Sequence, residues 1–399
     1  MRRSLGLAVG APFLLAVIVL PRFAPLAFRT FWTLAIASPL DPRAQEAARE
    51  IGGTAAACRE NLDCGAFGGK FETERVLVVG GTRGIGRGIA LELARAGAAV
   101  DIVGSSGVGG SVVTEMEATH AEETGESRRR GNRTFRFFRA DLHSIGGCRD
   151  LVAAVDAAYV PPDGEKFYHS VVFTAGQWPD AKEPLTAAGH EKGIFLSVVA
   201  RFAVFELLRR AQLLSPDCRI LSVLGSAQEA PPGFLLPGGT DLSFLRDFLP
   251  KAFLTHIYSP DDPPPLIGTL ISESTSGDLI LLELAQRHKS YSFAGTMPGL
   301  VRTDVARGHL GALNDVLFGI LDWLGITFSA QQCAINQLLV LRFLAGDHIT
   351  GPMMKKNWVF FDHFLVARLP GRLVKNAGEM RLGALLHNKL TKLVEKIPS

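Results

Sequence analysis

The stretch VLVVGGTRGIGRGIALELARAGAAV, from Val76 to Val100, constrains the fold more than any other part of this chain. Val76 to Gly80 reads as a short apolar strand ending on a glycine. Ile85 to Ala96 reads as a helix, with apolar Ile89, Leu91 and Leu93. Gly80, Gly84 and Gly86 sit at the junction, where the backbone must turn sharply. A ligand could approach such a turn closely, because there are few side chains to obstruct it. A helix that starts immediately after the turn offers free N–H groups and the positive end of its dipole to a phosphate. The strand before and the helix after give the glycine spacing its meaning.

The same alternation continues along the chain. AAVDIVG, FRFFRADL, VVFTAG, RILSVLG and SYSFAGTMPG read as the second to sixth strands, separated by segments long enough for helices. Apolar strands alternating with helices imply a parallel sheet covered on both faces. The expected fold class is α/β, a doubly wound parallel sheet (Rossmann fold), with the ligand crevice at the carboxyl ends of the strands. The expected divisions are a hydrophobic leader (1–41), a linker (42–74), a nucleotide-binding domain (75–310) and a helical extension with a basic tail (311–399). Residues 227–265, rich in Pro, Gly and Leu, read as an insertion over the cleft.

GGTRGIG resembles the TGxxxGxG turn of short-chain dehydrogenases/reductases, with Val79 in place of the usual Thr. The resemblance runs from about Arg75 to Thr303. It implies that Gly80, Thr82, Arg83, Gly84, Ile85 and Gly86 hold the cofactor's phosphates. Asp141 matches the Asp that contacts adenine. Ala175 and Gly176, in FTAG, stand where the family has NNAG. Pro298, Gly299 and Thr303, in PGLVRT, match the segment that touches the nicotinamide. At the end of the second strand Ser105 occupies the position where an Asp or Glu would bind the ribose of NAD. With no carboxylate there, and with Arg83 in the turn, the expected cofactor is NADP, with NAD as the alternative.

The family's proton donor is a Tyr followed by a Lys at i+4, so that both project from one helix face. No YxxxK occurs: Tyr159, Tyr168, Tyr258 and Tyr291 are followed four residues later by Asp163, Val172, Asp262 and Gly295. An ungapped match backwards from LLELA sets Leu266 and Leu270 at the Tyr and Lys positions. His190 falls at the family's Asn and Ser226 at its Ser. The candidate catalytic residues are therefore Ser226, Tyr258 and His190. The expected function is an NAD(P)-dependent oxidoreductase acting on an apolar carbonyl or alcohol. The alternative is a catalytically silent NAD(P)-binding sensor, scaffold or assembly protein at a membrane.

The amino-terminal segment has no acidic residue before Asp41, and Arg2 and Arg3 precede an uncharged run from Ser4 to Leu20. It reads as a signal peptide or anchor, with a mitochondrial presequence as the rival. The hydrophobic content of 47 % and mean hydropathy of +0.20 fit membrane contact. The expected location is membrane-associated, in the secretory pathway or endoplasmic reticulum, with the mitochondrion second. Five cysteines show no metal-ligand spacing, and no metal is expected; Cys58 and Cys64 form the one close pair. Val316, Leu317, Ile320, Leu321 and Leu324 lie at helical spacing, and Ala330 to Leu344 continues an apolar helix that suits either core packing or a homodimer. Trp358, Phe360, Phe361 and Phe364, followed by a tail with nine Lys/Arg against three Asp/Glu after Met353, suggest contact with an anionic membrane. Motifs of nucleic-acid readers are absent, so the expected partners are a small apolar substrate and a membrane.

Overall fold

The computed structural model describes residues 71–124, 135–159, 167–177, 185–224, 266–299, 301–303, 327–345, 357–361, 367–368 and 382–396. The leader, most of the linker, the 227–265 insertion and the helix expected around Val316 lie outside these residues.

Eight strands form one sheet in the order β3-β2-β1-β4-β5-β6-β7-β8. They are β1 (Arg75–Val79), β2 (Ala99–Gly104), β3 (Arg136–Arg139), β4 (Tyr168–Phe173), β5 (Leu214–Val223), β6 (Ser292–Thr296), β7 (Trp358–Phe361) and β8 (Ala367–Arg368). All neighbours are parallel except β7 and β8. The fold class is the expected doubly wound α/β sheet. The order reverses between β1 and β4, and such a switch point opens a crevice beyond the strands' carboxyl ends.

Alternation along each strand divides the apolar residues between two cores. Leu77 and Val79 face one side, with α3 (Ile145–Ala158), α4 (192–210), α5 (Leu266–Arg287) and α7 (Leu382–Lys396). Val76 and Val78 face the other, with α1 (Gly84–Arg95), α2 (Gly109–Thr124) and α6 (Ala330–Leu344). Helix α4 is α-helical at Lys192–Ile194, π-helical at Phe195–Ala200 and α-helical again at Arg201–Arg210. Phe195, Phe202, Phe205 and Phe293 are fully buried in the first core. Each such side chain contributes about 1.5–3 kcal/mol relative to exposure.

The aromatic run after Lys356 corrects a sequence expectation. Trp358, Phe360 and Phe361 belong to β7, an interior strand paired with β6, rather than to a membrane-facing segment. Phe360 packs into the first core and Phe361 into the second. Gly295, opposite Phe360 in register, makes room for its ring: a Cβ there would lie 2.5 Å from Phe360 Cδ1. β-Branched and aromatic residues suit a strand buried on both faces, and that composition resembles a membrane anchor when read alone. The region after residue 310 therefore supplies two strands of the sheet as well as helices. Helix α6 takes the core-packing role, lying against α1, where a Cβ at Gly88 would meet Ala330 O at 2.8 Å. Among the described residues no helix is long and apolar enough to cross a membrane.

Candidate nucleotide-binding crevice and active site

The turn after β1 is pinned on both sides. Gly80 and Gly81 donate N–H bonds to Val103 O of β2 (2.9 and 3.0 Å), while Thr174 and Ala175, just beyond β4, donate to Val79 O (2.8 and 2.9 Å). Gly80 has φ +99°, a conformation that L side chains rarely adopt. A Cβ at Gly80 would lie 2.5 Å from Ala175 N, and one at Gly86 would lie 2.3 Å from Gly80 O. The two glycines are thus required for the turn to close on β4. Gly84, φ +52°, faces Thr303: its Cβ would lie 3.3 Å from Thr303 Cγ2. Gly299 also has positive φ, at +74°.

Helix α1 opens without a side-chain cap and without an acidic residue in its first turn. Its first N–H groups and positive dipole end are then suited to an anionic ligand. Arg83, at the N-cap, is exposed and extended. Thr82 is buried against Gly104, and Ser106 Oγ lies 3.4 Å from Thr82 Oγ1. Ser105 is exposed at the end of β2, and Ile85 is half-buried. Ala175 and Gly176 line the end of β4, while Pro298 and Gly299 follow β6. The structure therefore gathers the sequence-predicted cofactor residues at the carboxyl edge of the sheet. These residues fit a dinucleotide: the tight glycine turn and uncapped helix lie at the switch point, and no carboxylate stands at the end of β2.

Asp141 is more engaged than its resemblance implied. Its Oδ1 accepts from the backbone N–H of His143 (3.0 Å) and contacts His143 Nδ1 (2.8 Å). His143 Nε2 in turn reaches Gln177 Oε1 at 3.1 Å, linking the ends of β3 and β4. The His143 N–H bond is the main cause holding Asp141 below the usual carboxylate range. The carboxylate is still exposed on one side.

The candidate catalytic residues fare unevenly. Ser226 and Tyr258 lie outside the described residues. His190 precedes α4 in a short turn: it donates its N–H to Thr186 Oγ1 (3.1 Å) and its carbonyl accepts from Thr186 N (2.7 Å). Its ring is tilted against Phe195, with centroids 5.5 Å apart. The side chains at Leu266 and Leu270, which begin α5, are likewise outside what is described.

Two tyrosines are committed elsewhere. Tyr159 and Tyr168 both donate their hydroxyls to buried Asp101, Tyr168 at 2.8 Å. Arg75 and Arg136 cover the Tyr159 ring, 4.4 and 4.5 Å from its centroid. Desolvation is the main cause raising the pKa of Asp101 and of both phenols, and the Asp101 carboxylate lifts the phenols further. Tyr168 opens β4, so this tyrosine–carboxyl group lies away from the strands' carboxyl ends, where the crevice opens. Tyr291 packs edge-on against Phe205, at 6.0 Å.

The sequence reading missed a buried polar cluster directly behind the β4 turn. Arg201 of α4 donates to Ser222 Oγ (2.6 Å), Ala175 O (2.8 Å) and Val223 O (3.0 Å), bracing the carboxyl ends of β4 and β5. Burial lowers its pKa to about 10, so it remains charged at neutral pH. Nearby, Ser197 Oγ lies 3.4 Å from Glu273 Oε2. Glu191 accepts the Ile194 N–H at 2.6 Å. The available signal was charge inside apolar helices, at Arg201 in VVARFAVF and at Glu273 in LISEST. Such residues are rarely fully buried unless paired.

Comparison with known proteins gives a consistent but distant setting. No protein-family model matches the chain. An uncharacterized oxidoreductase of Saccharomyces cerevisiae is 22% identical over 291 residues, covering 70% of this chain and 77% of the yeast protein. Among solved structures, the angucycline C-6 ketoreductase LanV with bound NADP is 18% identical, covers 74% of this chain and 96% of its own, and has a TM-score of 0.49. A 3-oxoacyl (acyl-carrier-protein) reductase of Agrobacterium tumefaciens with NADP bound is 19% identical, covers 74% and 95%, and has a TM-score of 0.47.

Proposed function

We propose that the chain binds NADP(H) and works as an oxidoreductase of short-chain dehydrogenase/reductase type, reducing an apolar ketone or aldehyde. The observation that carries this reading is the glycine turn at the β1/β4 switch point, closed by Ala175 on one side and Thr303 on the other. Similarity to the yeast oxidoreductase supports the same class. Gly80, Gly84, Gly86 and the uncapped start of α1 would hold the pyrophosphate. Exposed Arg83 and Ser105 would accept the 2′-phosphate, where a carboxylate would repel it. Asp141 would face the adenine, and Pro298, Gly299 and Thr303 the nicotinamide amide. A reduced nicotinamide supplies a hydride when bound. The chain's own task is to orient the carbonyl, exclude water and deliver a proton to the developing alkoxide. An apolar substrate suits the Pro- and Leu-rich segment 227–265, on composition.

The test is consumption of NADPH by the full-length protein with a panel of apolar ketones and aldehydes. Turnover dependent on the carbonyl supports the reading. Tight NADPH binding with no turnover across the panel favours instead a silent nucleotide-binding protein.

A further inference from the structure

We propose that Glu273, with Ser197 as its relay and Glu191 as its charged neighbour, stores the proton that carbonyl reduction in this crevice consumes. The inference rests on the reductase reading above. It fills the role left open on helix α5, where Leu266 and Leu270 occupy the positions at which the resemblance implies a tyrosine and a lysine.

The geometry starts from a crowded glycine. A Cβ at Gly193 would lie 2.2 Å from Glu273 Oε1, 3.2 Å from Glu191 Oε2 and 3.2 Å from the Gln177 carbonyl oxygen. Two carboxyls therefore converge on one point beside the residue that follows Gly176. Both glutamates are buried, at 4% exposure for Glu273 and 1% for Glu191. The outer oxygens, Glu273 Oε1 and Glu191 Oε1, have no hydrogen-bond partner among the described residues. A buried charged oxygen left in that state is costly. Two carboxylates close together cannot both ionise easily, so one of them keeps its proton.

The surroundings decide which one. Burial raises the Glu191 carboxyl as well, but its Oε2 accepts the Ile194 N–H and is also supported by the Gly193 N–H, so backbone donors oppose that rise. Among the described residues Glu273 has the Ser197 hydroxyl alone. Burial, followed by the adjacent Glu191 carboxylate, pushes Glu273 up to about 8, with Arg201 and Ser197 opposing. The charged groups acting on it are Glu191 and Arg201, both from the α4 segment, while His143 from the β3–α3 loop acts on Glu191. Glu273 then keeps its proton at pH 7 while its acidity stays near neutrality, as proton donation requires.

The path outward is short. Ser197 Oγ sits between Glu273 Oε2 and the β4 turn, where it lies 3.6 Å from the point a Gly176 Cβ would occupy. A serine hydroxyl donates and accepts at once, so it can take the Glu273 proton while passing on its own. In the step, the carbonyl carbon gains the hydride and its oxygen gains a proton. The nicotinamide C–H that would supply the hydride, the C=O π bond, the Ser197 O–H and the Glu273 O–H break; a substrate C–H, a product O–H and a new Ser197 O–H form, and the nicotinamide would leave oxidised. Glu273 is left as a carboxylate, which solvent protonates before the next turnover. Because it acts through Ser197, Glu273 is a positioning and proton-storing residue.

The experiment compares full-length wild type with E273Q, E273D and S197A in three readouts. These are NADPH affinity by fluorescence, the pH profile of kcat on a ketone the wild type reduces, and infrared difference spectra between pH 6 and pH 9. The expected result for E273Q is NADPH affinity within about twofold of wild type and a rate lowered by about 10²–10⁴-fold. The fall in kcat above pH 8 is present in the wild type and absent from E273Q, while E273D restores part of the rate. The infrared band of a protonated carboxyl is lost on alkalinisation in wild type and S197A, and is missing from E273Q. This last readout needs neither cofactor nor turnover. If E273Q does not fold, the wild-type band and S197A, with its rate lowered, carry the test. Wild-type turnover with an E273Q rate and pH profile unchanged would overturn this inference alone, as would a wild type with no such band. A wild type that binds NADPH and reduces nothing overturns the reductase reading and the proton role with it.

Discussion

Replacing Gly86 by alanine tests whether the glycine turn is as tight as its packing indicates. The added methyl would lie 2.3 Å from Gly80 O and 2.4 Å from Thr174 Oγ1. Thr174 could rotate its hydroxyl away, although it would give up a 3.1 Å bond to Val79 O. The Gly80 carbonyl has no such freedom, because its residue is held at φ +99° and its N–H is bonded to Val103 O. Alanine gains at most about 1 kcal/mol in helix propensity. Overpacking against fixed atoms costs about 1–3 kcal/mol or more, so a net loss of about 1–2 kcal/mol is expected. For a domain of this kind, each kcal/mol lowers Tm by roughly 2–4 °C. Relief of the clash would tilt the start of α1 away from β1, so NADPH affinity should fall at least about tenfold, equivalent to ~1.4 kcal/mol. Gly110→Ala is the control, since a Cβ there meets nothing within 4 Å. It should leave both Tm and affinity unchanged or slightly raise Tm. Thermal unfolding and NADPH fluorescence titration read the two effects. If Gly86→Ala matched wild type in both, the argument from the turn's packing would be refuted.

Arg201→Met removes the donor to two backbone carbonyls and the Ser222 hydroxyl behind the crevice; it should destabilise by about 3–5 kcal/mol in urea unfolding, and a neutral effect would contradict the brace. Tyr168→Phe should cost about 1–3 kcal/mol, by leaving Asp101 a bond short, yet leave NADPH affinity and turnover unchanged; a selective loss of turnover would place Tyr168 in the chemistry. Ser105→Asp should weaken NADPH binding at least about tenfold while sparing NADH, because a carboxylate there repels only the 2′-phosphate; equal effects on both would remove Ser105 from that site. Stability should also report Glu273: its folded pKa of about 8 lies above the ordinary carboxyl value of 4.5. The native state then holds a proton that the unfolded chain has lost, so this group's contribution is full below about 4.5 and is lost as pH rises through 8. Against wild type, E273Q should gain stability progressively across that range in unfolding experiments at pH 5–9; a constant offset would contradict the shift.

Strands β1, β2, β4 and β6 were legible because each carries a short apolar run, and a parallel sheet buried on both faces imposes that pattern; β3, RFFR, is only half-buried, and β5 reaches back to Leu214, beyond its apolar run. The crevice was legible for the same local reason. Gly80, Gly84 and Gly86 answer demands made by their near neighbours in the chain, by Ala175 and by Thr303, each in a motif of its own. Strand β7 was not, because WVFF carries no mark distinguishing a sheet interior from a membrane, and only pairing with β6 decides between them. The acidic cluster was hidden for another reason. Glu191, Ser197, Arg201 and Glu273 lie on segments up to about eighty residues apart in sequence, and their chemistry arises from burial and from one another. A search for YxxxK looks for a proton donor within five residues, and this arrangement is not local. His190 drew attention by aligning with the family's Asn, whereas its neighbour Glu191 is the buried group.

The central claim is that the β1/β4 crevice binds a phosphorylated dinucleotide, and titration of the full-length protein with NADPH and NADH tests it most directly. The account predicts saturable binding of NADPH, tighter than NADH by about tenfold or more, and weakened by Gly86→Ala. Absence of saturable binding for either nucleotide would contradict it.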